Sequence, residues 1–199
     1  MEDTKLIEQP KLDKPGAGLP LIELAIAKYI MFPFLYATTT PEKAVETFAD
    51  ESKRVLALSE KLQPNALSER KLIQRLSGLE DSSRFWSVAM AIQHLVIVGN
   101  GMRQVIAELS STGKTTRSPR GTADVKPDPA VDSKSAILSF EQMADQFLES
   151  AKRIDVNAFP AATFPHPWFG DLNARGWLVL SGVHTRIHRK QIEAIIAQL

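Results

Sequence analysis

The chain has 199 residues, 44% of them hydrophobic and 24% charged, which suits one ordinary domain with a sizeable core and excludes a disordered chain. Its 24 Lys and Arg against 23 Asp and Glu leave a net charge of +1, so the strongly basic surface of a nucleic-acid binder is absent. There is no cysteine, which removes disulfides, thiolate metal sites, iron–sulfur clusters and any cysteine nucleophile.

The opening residues Met1 to Thr4 lack the basic and apolar regions of a secretory signal, and the expected compartment is the cytoplasm. Residues 1–19, polar and carrying Pro10, Pro15, Gly16 and Gly18, read as a flexible arm ahead of a single domain over 20–199. The first apolar stretch, Leu19 to Tyr36, has Glu23 and Lys28 inside it and Pro33 interrupting it. Each charge would cost roughly 2.5 to 3.5 kcal/mol at a bilayer centre, so we expect a buried or partner-facing extra helix and no membrane span. A membrane-surface role and a homodimer through it are both open uses.

Thr40 and Pro41 start the first core helix, with Val45, Phe48, Val55, Leu58 and Leu62 on one face. A shorter helical piece is expected over Leu67 to Leu76. The next helix should begin near Arg84 and reach Leu109, and its first half is apolar almost all round, as suits a central helix. Gly99 and Gly101 within it predict a bend or a close helix contact.

Ser110 to Asp132 has no periodicity and exceeds the usual loop length. Such a connection crosses from one end of a bundle to the other, letting the helices on either side run parallel. Ile137, Phe140, Ala144, Phe147, Ala151 and Ile154 then mark the clearest amphipathic helix. A proline-rich loop, Asp155 to Gly170, precedes a last helix expected to be capped by Asp171. Its inward stripe reads Trp177, Leu180, His184, His188, Gln191 and Ile195, while Arg186, Arg189 and Lys190 should point elsewhere. No stretch alternates as strands do. The expected class is all-α, a four-helix bundle over about 41–199 with an extra N-terminal helix.

Four histidines exist. His184 and His188 lie one helical turn apart on the inward face, and His94 sits in the most apolar helix. Buried imidazoles need partners, which hydrogen bonds supply in many cores and a shared cation supplies in others. Three convergent imidazoles would leave open positions on an ion, as catalytic metals require. His166, ahead of Pro167, Trp168, Phe169 and Gly170, is placed to line the mouth of a site, touch a substrate or fix its loop.

Competing motifs fail. Thr112-Gly113-Lys114-Thr115 resembles the end of a phosphate loop, but Glu108 stands where a glycine is required. No Glu-x-x-His pair exists, and Thr185 follows His184 where a zinc protease has Glu. In the long loop, Asp124, Asp128 and Asp132 offset Arg117, Arg120 and Lys126, so DNA binding is not expected.

Trp86-Ser87 with His94-Leu95, the His166-Pro167-Trp168-Phe169-Gly170 segment with Leu172 and Trp177, and His184-x-x-x-His188 with Gln191 together resemble the DinB-like superfamily of metal-binding helical bundles. The resemblance implies an up-down-down-up bundle with the crossover between bundle helices 2 and 3. It also implies a divalent metal, zinc or nickel, on His94, His184 and His188. Some such proteins are thiol-dependent S-transferases or isomerases. The expectation is a metal-dependent enzyme of the transferase type that activates a small-molecule thiol, or water, with His166 and Trp168 toward the substrate. The alternative is a non-catalytic metal-binding or interaction bundle. No catalytic residue is assigned.

Overall fold

The four long bundle helices of this chain each open on a side-chain cap. The computed structural model describes residues 10–199; residues 1–9 of the arm expected over 1–19 lie outside them. Six helices follow: α1 Leu21–Thr38, α2 Pro41–Ser59, α3 Pro64–Ser68, α4 Val88–Thr112, α5 Ser133–Lys152 and α6 Ala174–Ile196. The Thr40 hydroxyl, Ser87 hydroxyl and Asp132 carboxylate accept from the third backbone N–H beyond them, opening α2, α4 and α5. The cap of α6 is Asn173, whose side chain accepts from Gly176 N at 2.9 Å, and not Asp171. Asp171 instead pairs in a strand opposite Pro165.

Helices α2, α4, α5 and α6 form the bundle, with α6 against α2 and α4, and α5 against α4 and α2. Their directions follow from contacts at the ends. Arg175 at the start of α6 donates to Thr39 O just before α2, and Arg186 and Arg189 further along α6 meet Glu51 further along α2, so these two are parallel. Gln93, early in α4, accepts from Asp128 N just before α5, and Phe159 after α5 lies against Gly113 after α4, so α4 and α5 are parallel as well. Gln191, late in α6, donates to Ser83 O ahead of α4, which sets the two pairs antiparallel. The order is up-down-down-up, and the 113–132 connection is the crossover.

Two glycines permit the close helix approaches. A methyl group at Gly182 of α6 would lie 2.9 Å from Thr47 Cγ2 of α2, and one at Gly99 of α4 would lie 2.5 Å from Met143 Sδ of α5. The expected contact at Gly99 is present and α4 runs through it without a break. Phe48 of α2 stacks on Phe147 of α5 with centroids 4.1 Å apart, both fully buried, and each contributes about 2 to 3 kcal/mol by leaving water.

Several local expectations need correction. α3 is only Pro64–Ser68, and the residues after it form a short strand, β1 Lys71–Leu72, paired antiparallel with β2 Phe85–Trp86. Arg70 donates to Phe85 O at 3.0 Å and covers its ring, and Ile73 N donates to Arg84 O. Partners distant in the chain thus outweigh the helical propensity of 69–76. The same pairing delays α4 from Arg84 to Val88. A second hairpin joins β3 Phe164–His166 to β4 Gly170–Leu172. Both are too short to show alternation. In α1, a π-helical turn over Ala27–Met31 lies where the Pro33 ring would otherwise meet the carbonyl four residues back, at Tyr29.

Candidate metal centre

Because α4 and α6 run antiparallel, the start of one and the later half of the other share an end of the bundle. There His94, His184 and His188 converge, with one ring nitrogen of each within 4.8 Å of the others. His94 and His188 are buried and His184 is partly exposed, so the cluster reaches solvent on the His184 side. The rings lie 4.4 to 5.1 Å apart, centroid to centroid.

The outer nitrogens are held by the chain. His94 Nδ1 lies 2.8 Å from Val125 O in the crossover, an acceptor only, so this nitrogen carries the proton and Nε2 keeps its lone pair. His188 Nδ1 lies 2.7 Å from Gln191 Oε1, while the Gln191 amide donates to Ser83 O at 2.7 Å. That donation turns the Gln191 oxygen toward His188, so His188 also donates from Nδ1. Burial pushes His94 down to about 4, against the opposing effect of its bond to Val125 O and with help from the Lys126 charge. Burial, with the neighbouring imidazoles, holds His184 and His188 well below the ordinary range. All three are neutral at pH 7.

The donor set fits a divalent cation. His94 Nε2 and His184 Nε2 are 3.2 Å apart, within the span of two imidazoles that each reach about 2.0 to 2.1 Å to one ion. A proton on His184 Nε2 satisfies one such contact, whereas a cation satisfies three lone pairs together. Among the described residues no carboxylate joins the cluster. Trp86 closes one side, parallel to His188 with centroids 6.0 Å apart and 5.3 Å from His94.

His166 lies beside this cluster but outside it. Its Nδ1 accepts from Trp168 N at 3.1 Å and Phe169 N at 3.3 Å, so it fixes the turn between β3 and β4. Its ring stacks on Phe169 and leans on Trp177, and burial pushes it down to about 4. Trp168, half-buried, meets the edge of His166 at 6.2 Å. Phe169 in turn stacks on Phe32 of α1, so these aromatics link α1 to the wall near His184.

Sequence reasoning passed over the groups that brace this end. Glu80, buried, accepts from Thr122 Oγ1 at 2.8 Å, Ser82 Oγ at 3.1 Å and the amides of Gly18 and Gly16, with Lys126 Nζ at 3.5 Å. Burial raises its pKa, but these bonds and the Lys126 charge bring it below the ordinary value. Residues 13–18 are therefore tied down at this point. Lys126 also bonds Ser82 and Ser83 and lies 5.1 Å over the Trp86 ring. A lone Glu in a turn carries no spacing signal by which it could be found. Arg189 points away from the histidine stripe as expected, and there it is buried and paired with Glu51 and Glu193.

Comparison with known proteins bears on both the family and the fold. A family model described as the DinB superfamily matches residues 48–192. The crystal structure of TT2238, a four-helix bundle protein, superposes with a TM-score of 0.56 at 23% identity, covering 78% of this chain and 99% of that one. No curated protein matches. The structural likeness concerns the fold alone.

Proposed function

Given that the chain belongs to the DinB superfamily, we propose that it is a divalent-metal enzyme of the transferase type, acting on a small molecule with a thiol, or water, as the activated group. The observation that carries this reading is the three-imidazole cluster without a carboxylate among the described residues. A closed structural site takes four protein ligands; three leave positions for reactants. His94, His184 and His188 would hold the ion, zinc or nickel by the nature of imidazole donors.

Such an ion supplies Lewis acidity, which favours the anionic form of a thiol, otherwise near pKa 8.5, or of water at neutral pH. The chain's own residues do the rest. Val125 O and the Gln191 amide keep the Nδ1 protons of His94 and His188 in place and turn both Nε2 atoms to the common point. Trp86 excludes water from one side. His166, Trp168 and Phe169 offer an aromatic wall for an apolar reactant. With no cysteine, the protein provides no thiolate itself, so a thiol must arrive as a small molecule.

The test is elemental analysis of untagged protein, followed by calorimetric titration of the metal-stripped chain with zinc and nickel. One ion per chain is expected, with affinity lost at least 100-fold in His184→Ala and a small thiol binding only to the loaded protein. Unchanged metal content in His184→Ala would refute the site, while metal retention without thiol or substrate binding would return the protein to a non-catalytic bundle.

A further inference from the structure

Helix α1 is inverted relative to an ordinary surface helix. Leu21, Ile22, Ile26, Tyr29, Ile30 and Phe34 form one outward stripe, 44 to 84% exposed. Together they present on the order of 800 Å² of accessible surface, whereas the largest apolar patch on a monomer is typically about 300 to 600 Å². Both charged residues of the helix lie off this stripe. Glu23 turns inward to pair with Arg75 and accept from Gly78 N at 2.6 Å, and Lys28 is half-buried beside Tyr29.

The segment is long and apolar enough to cross a membrane, with mean hydropathy 1.4 over Leu21–Thr38. Its inner side is nevertheless tied to the bundle. Phe32 stacks on Phe169, Arg175 donates to Tyr36 O and Thr39 O, and Arg75 holds Glu23. Crossing a bilayer would break all of these. Lying on an anionic surface needs a cationic rim, and Lys28 is the one cationic residue of this helix. A second copy of the chain fits better. It presents the same uncharged stripe, self-complementary about a two-fold axis, and the area matches the roughly 800 Å² per partner of a stable interface.

We propose that the outward face of α1 is a homodimer interface, with α1 of one protomer packed on α1 of its partner about an axis near Tyr29. This does not depend on the metal reading. The stripe runs from Leu21 to Phe34 with its middle between Ile26 and Tyr29, so a two-fold axis there brings Tyr29 close to its own copy, and one substitution on the stripe acts twice.

Light scattering and sedimentation of the full chain at micromolar concentration are expected to give twice the 22.0 kDa chain mass. Ile30→Asp, exposed and so compatible with folding, should weaken association at least 100-fold with an unchanged circular dichroism spectrum. The cysteine-free chain allows a second readout: Tyr29→Cys should form a disulfide-linked dimer under mild oxidation, and Lys190→Cys on exposed α6 surface should not. A wild-type chain monomeric at 100 μM, a dimer that survives Ile30→Asp, or a monomer that binds phosphatidylcholine vesicles through this face would each overturn the proposal.

Discussion

Helix α6 buries two polar clusters, and they are built on opposite principles. On the side facing α2, Arg189 and Arg186 meet Glu51, and Arg189 also meets Glu193. Opposite charges there satisfy one another, and the Arg186 and Arg189 charges hold Glu51 below the usual carboxylate range despite the burial that would raise it. On the side facing α4, the inner ring nitrogens of His184 and His188 converge with that of His94, a third copy of the same neutral base. The first cluster is complete with the protein's own groups; the second presents lone pairs to one another. Complementarity marks a structural brace, and its absence among buried groups marks a place for a ligand.

The largest effect should come from breaking the brace. Glu51→Ala leaves Arg189 buried with one partner fewer and is expected to cost about 3 to 5 kcal/mol in urea unfolding. Metal stoichiometry should be unchanged; its loss would show that the two clusters are one unit.

Next comes pH. His94 and His166 are each pushed down to about 4 in the folded chain, against roughly 6.5 unfolded. Between these values the unfolded chain binds more protons. Stability of the metal-free protein should therefore be full above pH 6.5 and fall steadily toward pH 4, by about 1.4 kcal/mol per pH unit for each such histidine. Urea unfolding at pH 7.5 and 5 checks this, and a flat profile would contradict the buried neutral imidazoles.

Removing the orienting group while keeping the ligands is a finer test. Gln191→Ala should weaken metal binding about 10- to 100-fold by freeing the His188 ring, read by competition with a chelating dye. The smallest effects compare two glycines of α4. Gly99→Ala meets Met143 and should destabilise by about 1 kcal/mol, whereas Gly101→Ala meets nothing and should stabilise by roughly 0.5 to 1 kcal/mol through helix propensity. Thermal melts distinguish the two signs.

Much of the bundle was legible in the chain because periodicity is a local property. Phe48 and Val55 on α2 and Phe140, Ala144 and Phe147 on α5 repeat at helical spacing, and all are buried. The stripe on α6 carried His188 and Gln191 inward together with the core residues beside them. The hairpins were not legible. Residues 71–72 and 164–166 are strands only because 85–86 and 170–172 lie opposite them, and two or three residues hold no alternation to read. The burial of Arg189 was not legible either, because a charge at helical spacing looks the same facing water or facing Glu51.

Local pattern thus determined the all-helical class, the length of the crossover, the turn-spaced His184 and His188, and the lack of any thiol. What tertiary structure alone decided is the meeting of His94 with that pair across 90 residues of chain, the carbonyl and amide that aim the rings, and the solvent-facing side of α1. Spacing constrains residues within one turn of helix, whereas convergence between helices depends on their direction and depth of packing, which no single segment encodes.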